Sequence, residues 1–189
     1  MGGTEKVLSE RDPFGTTAVI LVTVGVYDLP FDRLVRAVDA LVAFGAFTEE
    51  VFVQIGHSVA PTSPVQFERF LSFDRINKLA DQASLIISQG GPDSIMLALA
   101  RGKIPIVVPR QKQFGEMVDD HQILFAQKLA KEGKILPVYD ICDLKAVCRE
   151  YSKTTSRMKV SAHSVRKQAN NFADRLGALL ERHLEKQKL

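Results

Sequence analysis

The chain has 189 residues, enough for one domain with a sizeable core. Its 46% hydrophobic and 25% charged content is that of an ordinary globular protein, and no apolar run reaches the ~18 residues needed to cross a bilayer. The net charge of +3 is uneven: residues 157–189 hold eight Lys/Arg against three acidic residues, while the remainder, with 17 basic and 19 acidic, carries no polyanion signal.

Residues 1–17 are polar and irregular and are expected to form a flexible arm; their start, Met-Gly-Gly-Thr-Glu, lacks the apolar core of a signal peptide. Ala18 to Val24 is an apolar, β-rich run ending at Gly25, which predicts the first core strand. Asp28-Leu-Pro30 reads as the cap and first turn of a helix whose inner face carries Phe31, Leu34, Val35, Val38, Leu41 and Val42. Val51 to Ile55 predicts a second strand, followed by Gly56-His57-Ser58 and a Pro-rich loop through Pro64. Phe67 to Phe73 predicts a shorter third strand, and Asp74 a cap for a helix through about Gln82.

The next stretch is the most informative. Leu85-Ile86-Ile87 is short, continuous and apolar, as expected of a strand buried on both faces. Gly90-Gly91 permits a sharp turn and close approach of a ligand to the backbone. Pro92 suits the first helical position, and the mostly apolar helix it opens ends at Gly102. Ile104 to Val108 is a further buried strand closed by Pro109. A helix starting directly after such a turn aims N–H groups and partial positive charge at whatever lies above it, and a phosphate is the natural guest. Spacing alone leaves two readings open, a diphosphate cradle or a tight strand–helix turn. No complete Gly-x-Gly-x-x-Gly or Walker motif is present.

Arg110 to Met117 is a polar loop, and Asp119 is expected to cap a helix through about Lys131, which Gly133 breaks. Lys134 to Val138 predicts a last strand, at an edge because of Pro137. Helices from about Cys142 to Tyr151 and from about Lys159 to Leu184 complete the chain. Cys142 and Cys148 have no metal-ligand pattern and read as reduced thiols. The last helix is amphipathic and basic, and either packs on its own domain or meets a partner or an anionic membrane. Without interleaved aromatics it is not a nucleic-acid element. The histidines are scattered, so no metal site is expected. Alternating strands and helices imply α/β architecture, a single Rossmann-like domain with a mainly parallel sheet over residues 18–156, with 157–189 as a C-terminal basic amphipathic helix.

Ser88-Gln-Gly-Gly-Pro-Asp-Ser-Ile-Met96, Gly102-Lys-Ile-Pro-Ile-Val-Val-Pro-Arg110 and Val118-Asp-Asp-His-Gln122 together resemble the C-terminal, donor-binding half of family 28 glycosyltransferases. Similar stand-alone halves are the PssE-type subunits of bacterial exopolysaccharide and capsule synthesis and the soluble subunit of the dolichol-linked GlcNAc transferase; MurG carries the same half fused to an acceptor domain. The resemblance spans roughly residues 18–138. It implies the C-terminal half of a GT-B enzyme, inverting transfer from a UDP-sugar, no cofactor and no metal. The implied partner is a membrane-anchored, PssD-like acceptor-binding subunit, and the implied acceptor a polyprenyl-diphosphate-linked saccharide. Work would then take place peripherally, at the cytoplasmic face of the membrane.

Carried over by position, Gly90, Gly91, Pro92 and Ser94 would hold the diphosphate, while His121 and Gln122 would meet the sugar hydroxyls. The uracil site would use backbone near Phe73, and Gly25 and Tyr27 would close the crevice from the first loop. Arg110 is either a diphosphate contact or a surface arginine, and Asp119 to Gln122 are otherwise a capped, solvated first turn. His57 is a weak acid–base candidate beside its plainer reading as a positioned, solvated histidine. Asp93 is awkward, because a carboxylate repels a diphosphate. A second departure is Leu97, which stands where relatives tend to carry a carboxylate that accepts from the ribose hydroxyls. A non-catalytic nucleotide-binding or scaffold module of a polysaccharide synthase complex is therefore the alternative.

Overall fold

The computed structural model describes residues 18–158. The flexible arm and the basic C-terminal helix expected from the sequence lie outside them. The described residues form one α/β unit around a six-stranded sheet of order β3-β2-β1-β4-β5-β6, parallel throughout. Its strands are β1 (Val19–Thr23), β2 (Glu50–Gln54), β3 (Gln66–Glu68), β4 (Ala83–Gln89), β5 (Ile106–Val108) and β6 (Leu136–Pro137). The helices are α1 (Asp32–Ala43), α2 (Phe73–Gln82), α3 (Pro92–Leu99), α4 (His121–Lys131) and α5 (Leu144–Thr155).

Because successive strand residues face opposite ways, β1 divides its side chains between two layers. Ile20 and Val22 pack with Leu34, Val35 and Val38 of α1, and Leu144 of α5 joins the same cluster. Val19 and Leu21 pack with Phe52, Leu79, Ala80 and Ala98 on the α2/α3 face. Farther along that sheet, Ile95, Leu99, Val107, Ala126 and Leu129 seat α3 and α4. Both faces of β1 and β4 are thus covered, which is why their sequences are continuous apolar runs rather than alternating ones.

The inner face predicted for α1 is buried at Phe31, Leu34, Val35, Val38 and Leu41, but the helix starts at Asp32, later than Asp28-Leu-Pro30 implied. Asp28 does not cap it; instead the Phe31 N–H donates to Ser58 Oγ (2.7 Å) and the Val59 N–H to Asp32 Oδ1 (2.9 Å). Residues from the β2 loop therefore supply the entry contacts, and no local motif could reveal them. Ser72, not Asp74, caps α2 by accepting from the Arg75 N–H, which leaves Asp74 in the first turn where its charge suits the helix dipole. At α4 the cap position is Asp120, and Asp119 accepts from the His121 N–H at 3.1 Å. The third strand is three residues long, and β6 is an edge strand as expected.

Candidate active site

At the carboxyl ends of the strands the register brings polar residues side by side: Thr23 lies opposite Gln54 on β2 and Ser88 on β4. All three are at most 2% exposed. The Gln54 carboxamide satisfies much of this layer. Its Oε1 accepts from Thr23 Oγ1 (2.7 Å) and the Gly25 N–H (3.0 Å), and its Nε2 donates to the carbonyls of Gly25 (2.9 Å) and Arg69 (2.8 Å). Gly25 has φ of 78°, in the left-handed region where a side chain is strained. Gln54 thereby ties the first loop to β2, a role its strand position does not advertise.

The β4–α3 turn forms as the sequence predicts. Gly91 occupies the cap position in extended backbone and Pro92 opens α3. The N–H groups of Asp93 and Ser94, in the first turn, have no intrahelical acceptor. Ser94 is 9% exposed, whereas Asp93 is exposed. Two carboxamides organise the turn. Gln122, at 5% exposure, accepts from the N–H groups of both Gly90 (3.1 Å) and Arg110 (3.0 Å) through Oε1 and donates through Nε2 to Gln89 Oε1 (2.9 Å). Gln89 Nε2 in turn donates to Ser94 Oγ at 3.3 Å. A Cβ on Gly91 would collide with the Gln89 carboxamide, and a Cβ on Gly25 would lie 3.0 Å from Gln89 Nε2. Gln89 therefore lies across the turn, between the two glycines. Within the motif nothing assigns Gln89 a role; its place at a strand's carboxyl end beside Gly90-Gly91 is the signal the sequence carries.

Two of the expected site residues, Arg110 and Gln122, are buried. Arg110 is not a surface arginine. It is 1% exposed, and its guanidinium donates to the carbonyls of Val24, Leu29, Pro30 and Glu116 over the Phe31 ring. Burial pulls its pKa down, opposed by the nearby Glu116 and Tyr27. A buried cation bonded to four carbonyls ties the first loop to the loop after β5, while its Nε is buried without a partner among the described residues. Gln122 likewise gives its oxygen to two backbone amides and its NH₂ to Gln89.

The other expected site residues outside the β4–α3 turn are all solvent-accessible. Tyr27 is partly exposed on the first loop, with the Arg110 guanidinium 5.7 Å from its ring centre. Phe73 opens α2 and is 81% exposed. His121 is exposed and paired with Asp119, whose carboxyl is held below its ordinary pKa by the backbone and side-chain hydrogen bonds from His121. His57 is exposed, 3.9 Å from Asp28 Oδ1 and edge-on to Phe70 at 5.2 Å. Its neighbour Ser58 is buried and engaged by the Phe31 N–H, so the pair is no nucleophile–base couple. Leu97 packs half-buried against the α2/α3 core. Among the described residues no group of three or more His, Cys, Asp or Glu is placed to hold a metal, and no helix is long and apolar enough to cross a membrane.

A family model described as the glycosyltransferase family 28 C-terminal domain matches residues 19–176. The chain belongs to this family. Among solved structures, the glycosyltransferase of kitacinnamycin superposes on 96% of this chain and 47% of its own, at 18% identity and a TM-score of 0.59. The spinosyn forosaminyltransferase SpnP covers 88% of this chain and 44% of its own, at 17% identity and a TM-score of 0.58. Acinetobacter baumannii MurG covers 78% of this chain and 45% of its own, at 20% identity and a TM-score of 0.57. The family 28 chain thus spans less than half the length of these structures, and its fold is the C-terminal half of a GT-B glycosyltransferase. No curated protein sequence matches it.

Proposed function

We propose that this family 28 domain is the donor-binding half of an inverting glycosyltransferase that takes its sugar from a UDP-sugar. The observation that carries the reading is the β4–α3 turn. The N–H groups of Asp93 and Ser94 there lack intrahelical acceptors, and the carboxamide of Gln89 lies across the same turn with its NH₂ toward Ser94. Donors held in place at a helix N-terminus stabilise the charge that develops on a departing diphosphate without reorganising during reaction. Gly90, Gly91, Pro92 and Ser94 form this cradle; Gly25 and Tyr27 flank it, and backbone near Phe73 takes the uracil. His121 faces the sugar, and His57 is the weak candidate for proton transfer.

The acceptor half lies outside the residues described. In our reading it is a membrane-anchored, PssD-like subunit that presents a polyprenyl-diphosphate-linked saccharide during exopolysaccharide or capsule synthesis. The domain then works at the cytoplasmic face of the membrane through that partner, and the base that takes the acceptor's proton comes from the partner. Holding donor and acceptor in line accounts for much of such an enzyme's acceleration. Calorimetric titration of UDP into the chain, alone and with the partner, tests the reading. Binding with sugar transfer in the pair supports it, and absence of UDP binding in both preparations refutes it.

One observation favours a second reading. Leu97 offers a ribose hydroxyl nothing to bond and packs half-buried against the α2/α3 core. On that basis the domain is a non-catalytic nucleotide-binding or scaffold module, and UDP binding without transfer in the pair is its signature.

A further inference from the structure

The Gln89–Gln122 pair carries an inference beyond the cradle itself, though it rests on the donor-site reading. The polarity of the pair follows from chemistry. One terminal atom of Gln122 faces two backbone N–H groups, those of Gly90 (3.1 Å) and Arg110 (3.0 Å). A backbone N–H only donates, so that atom is the oxygen. The other end of Gln122 is then its NH₂, and the Gln89 atom 2.9 Å from it must be an acceptor, the carbonyl oxygen. That leaves the Gln89 NH₂ pointing at Ser94 Oγ (3.3 Å) and lying against Gly91 and Gly25. One of its hydrogens engages Ser94, and the second is available over the turn. Ser94 Oγ, receiving a hydrogen bond, keeps its own proton to donate.

Two amides at the ends of β4 and β5 thus dictate, through one side chain at the start of α4, which face of Gln89 meets a ligand. We propose that Gln122 is a positioning residue that sets the Gln89 carboxamide so that its NH₂, rather than its carbonyl, faces the diphosphate of the donor. Inverting that carboxamide would place an oxygen where an anion must sit. Burial of Gln122 at 5% exposure keeps water from competing for these bonds.

Gln122→Glu separates this role from a merely structural one. Glutamate still accepts from both backbone N–H groups but, ionised, cannot donate to Gln89 Oε1. The expected result, by calorimetric titration of UDP into the full, folded chain, is about tenfold weaker binding. In a Gln89→Leu background the same change should cost less than about twofold, since the carboxamide it misdirects is gone. No loss from Gln122→Glu, or an equal loss in both backgrounds as charge alone would give, overturns the inference. A wild-type chain that binds neither UDP nor inorganic pyrophosphate overturns the donor-site reading, and this inference with it. Should Gln122→Glu not fold, Gln89→Glu replaces it: about tenfold weaker UDP binding with unchanged uridine binding supports the proposal, and unchanged UDP binding overturns it.

Discussion

Arg33 and Glu116, 83 residues apart, form a two-pronged ion pair in which Nε and one terminal nitrogen each lie 2.9 Å from a carboxylate oxygen. The pair closes beneath the loop after β5. Glu116 also accepts from the Gln111 N–H at 3.0 Å, and Arg33 donates to the Pro109 carbonyl at 3.0 Å. With side chains 13% and 5% exposed, neither partner regains much water if the other is removed. Glu116→Ala should therefore destabilise the fold by about 3 kcal/mol, because it strands a buried guanidinium. Replacing both residues with methionine should cost clearly less. Urea melts of the single and double variants check this; equal costs would mean that the pair does not couple.

Gly90 and Gly91 should respond differently to an added methyl group. At Gly90 a Cβ would lie 2.9 Å from Gln122 Cβ and 3.3 Å from Pro109 Cα, atoms that cannot swing aside. At Gly91 the nearest atoms it would meet all belong to the far end of the Gln89 side chain. Gly90→Ala should cost about 1–3 kcal/mol of stability. Gly91→Ala should leave the melting temperature nearly unchanged while weakening UDP binding about tenfold, as it evicts the Gln89 donor. Thermal melts alongside UDP titration read both.

Leu97 sets up a test of how the ribose is held. With leucine there, UDP and 2′-deoxy-UDP should bind alike. Leu97→Glu should create a preference for UDP of about tenfold, the worth of one hydrogen bond to a carboxylate, with some loss of stability because Leu97 packs on the α2/α3 core. Competition binding with the two nucleotides measures it. No gain in discrimination would place the ribose elsewhere.

Asp39 predicts an acid-side loss of stability. Burial works to raise its pKa, but hydrogen bonds from the side chains and backbone N–H groups of Ser63 and Thr62 prevail and lower it to about 2. A carboxyl depressed in the folded state contributes stability that is complete above its unfolded value, near 3.8, and lost as pH falls toward 2. Asp39→Asn should flatten the dependence of stability on pH across that window. Denaturant midpoints between pH 2 and 5 compare the two proteins; parallel curves would refute the assignment.

Much of the fold is legible in the sequence because its determinants are local. Leu85-Ile86-Ile87 and Ile106-Val107-Val108 reveal their burial by continuous hydrophobicity, and Gly90-Gly91-Pro92 specifies a strand–turn–helix junction through dihedral preferences of neighbouring residues. The alternating order of elements and the right-handed crossover rule then lead to a parallel sheet without any long-range knowledge.

What only the tertiary structure decided is the allegiance of the polar residues. The N–H of Phe31 finds its acceptor on Ser58, 27 residues on, and Gln54 holds the first loop from a strand away. In the sequence Arg110 has the look of a ligand-binding arginine, yet it is buried among four carbonyls; Gln122 faces two backbone amides contributed by other elements. Hydrophobic burial follows from a residue's own side chain and its period along the chain. A hydrogen bond depends on which partner the fold delivers within 3 Å, and that partner leaves no mark on the residue's immediate neighbours.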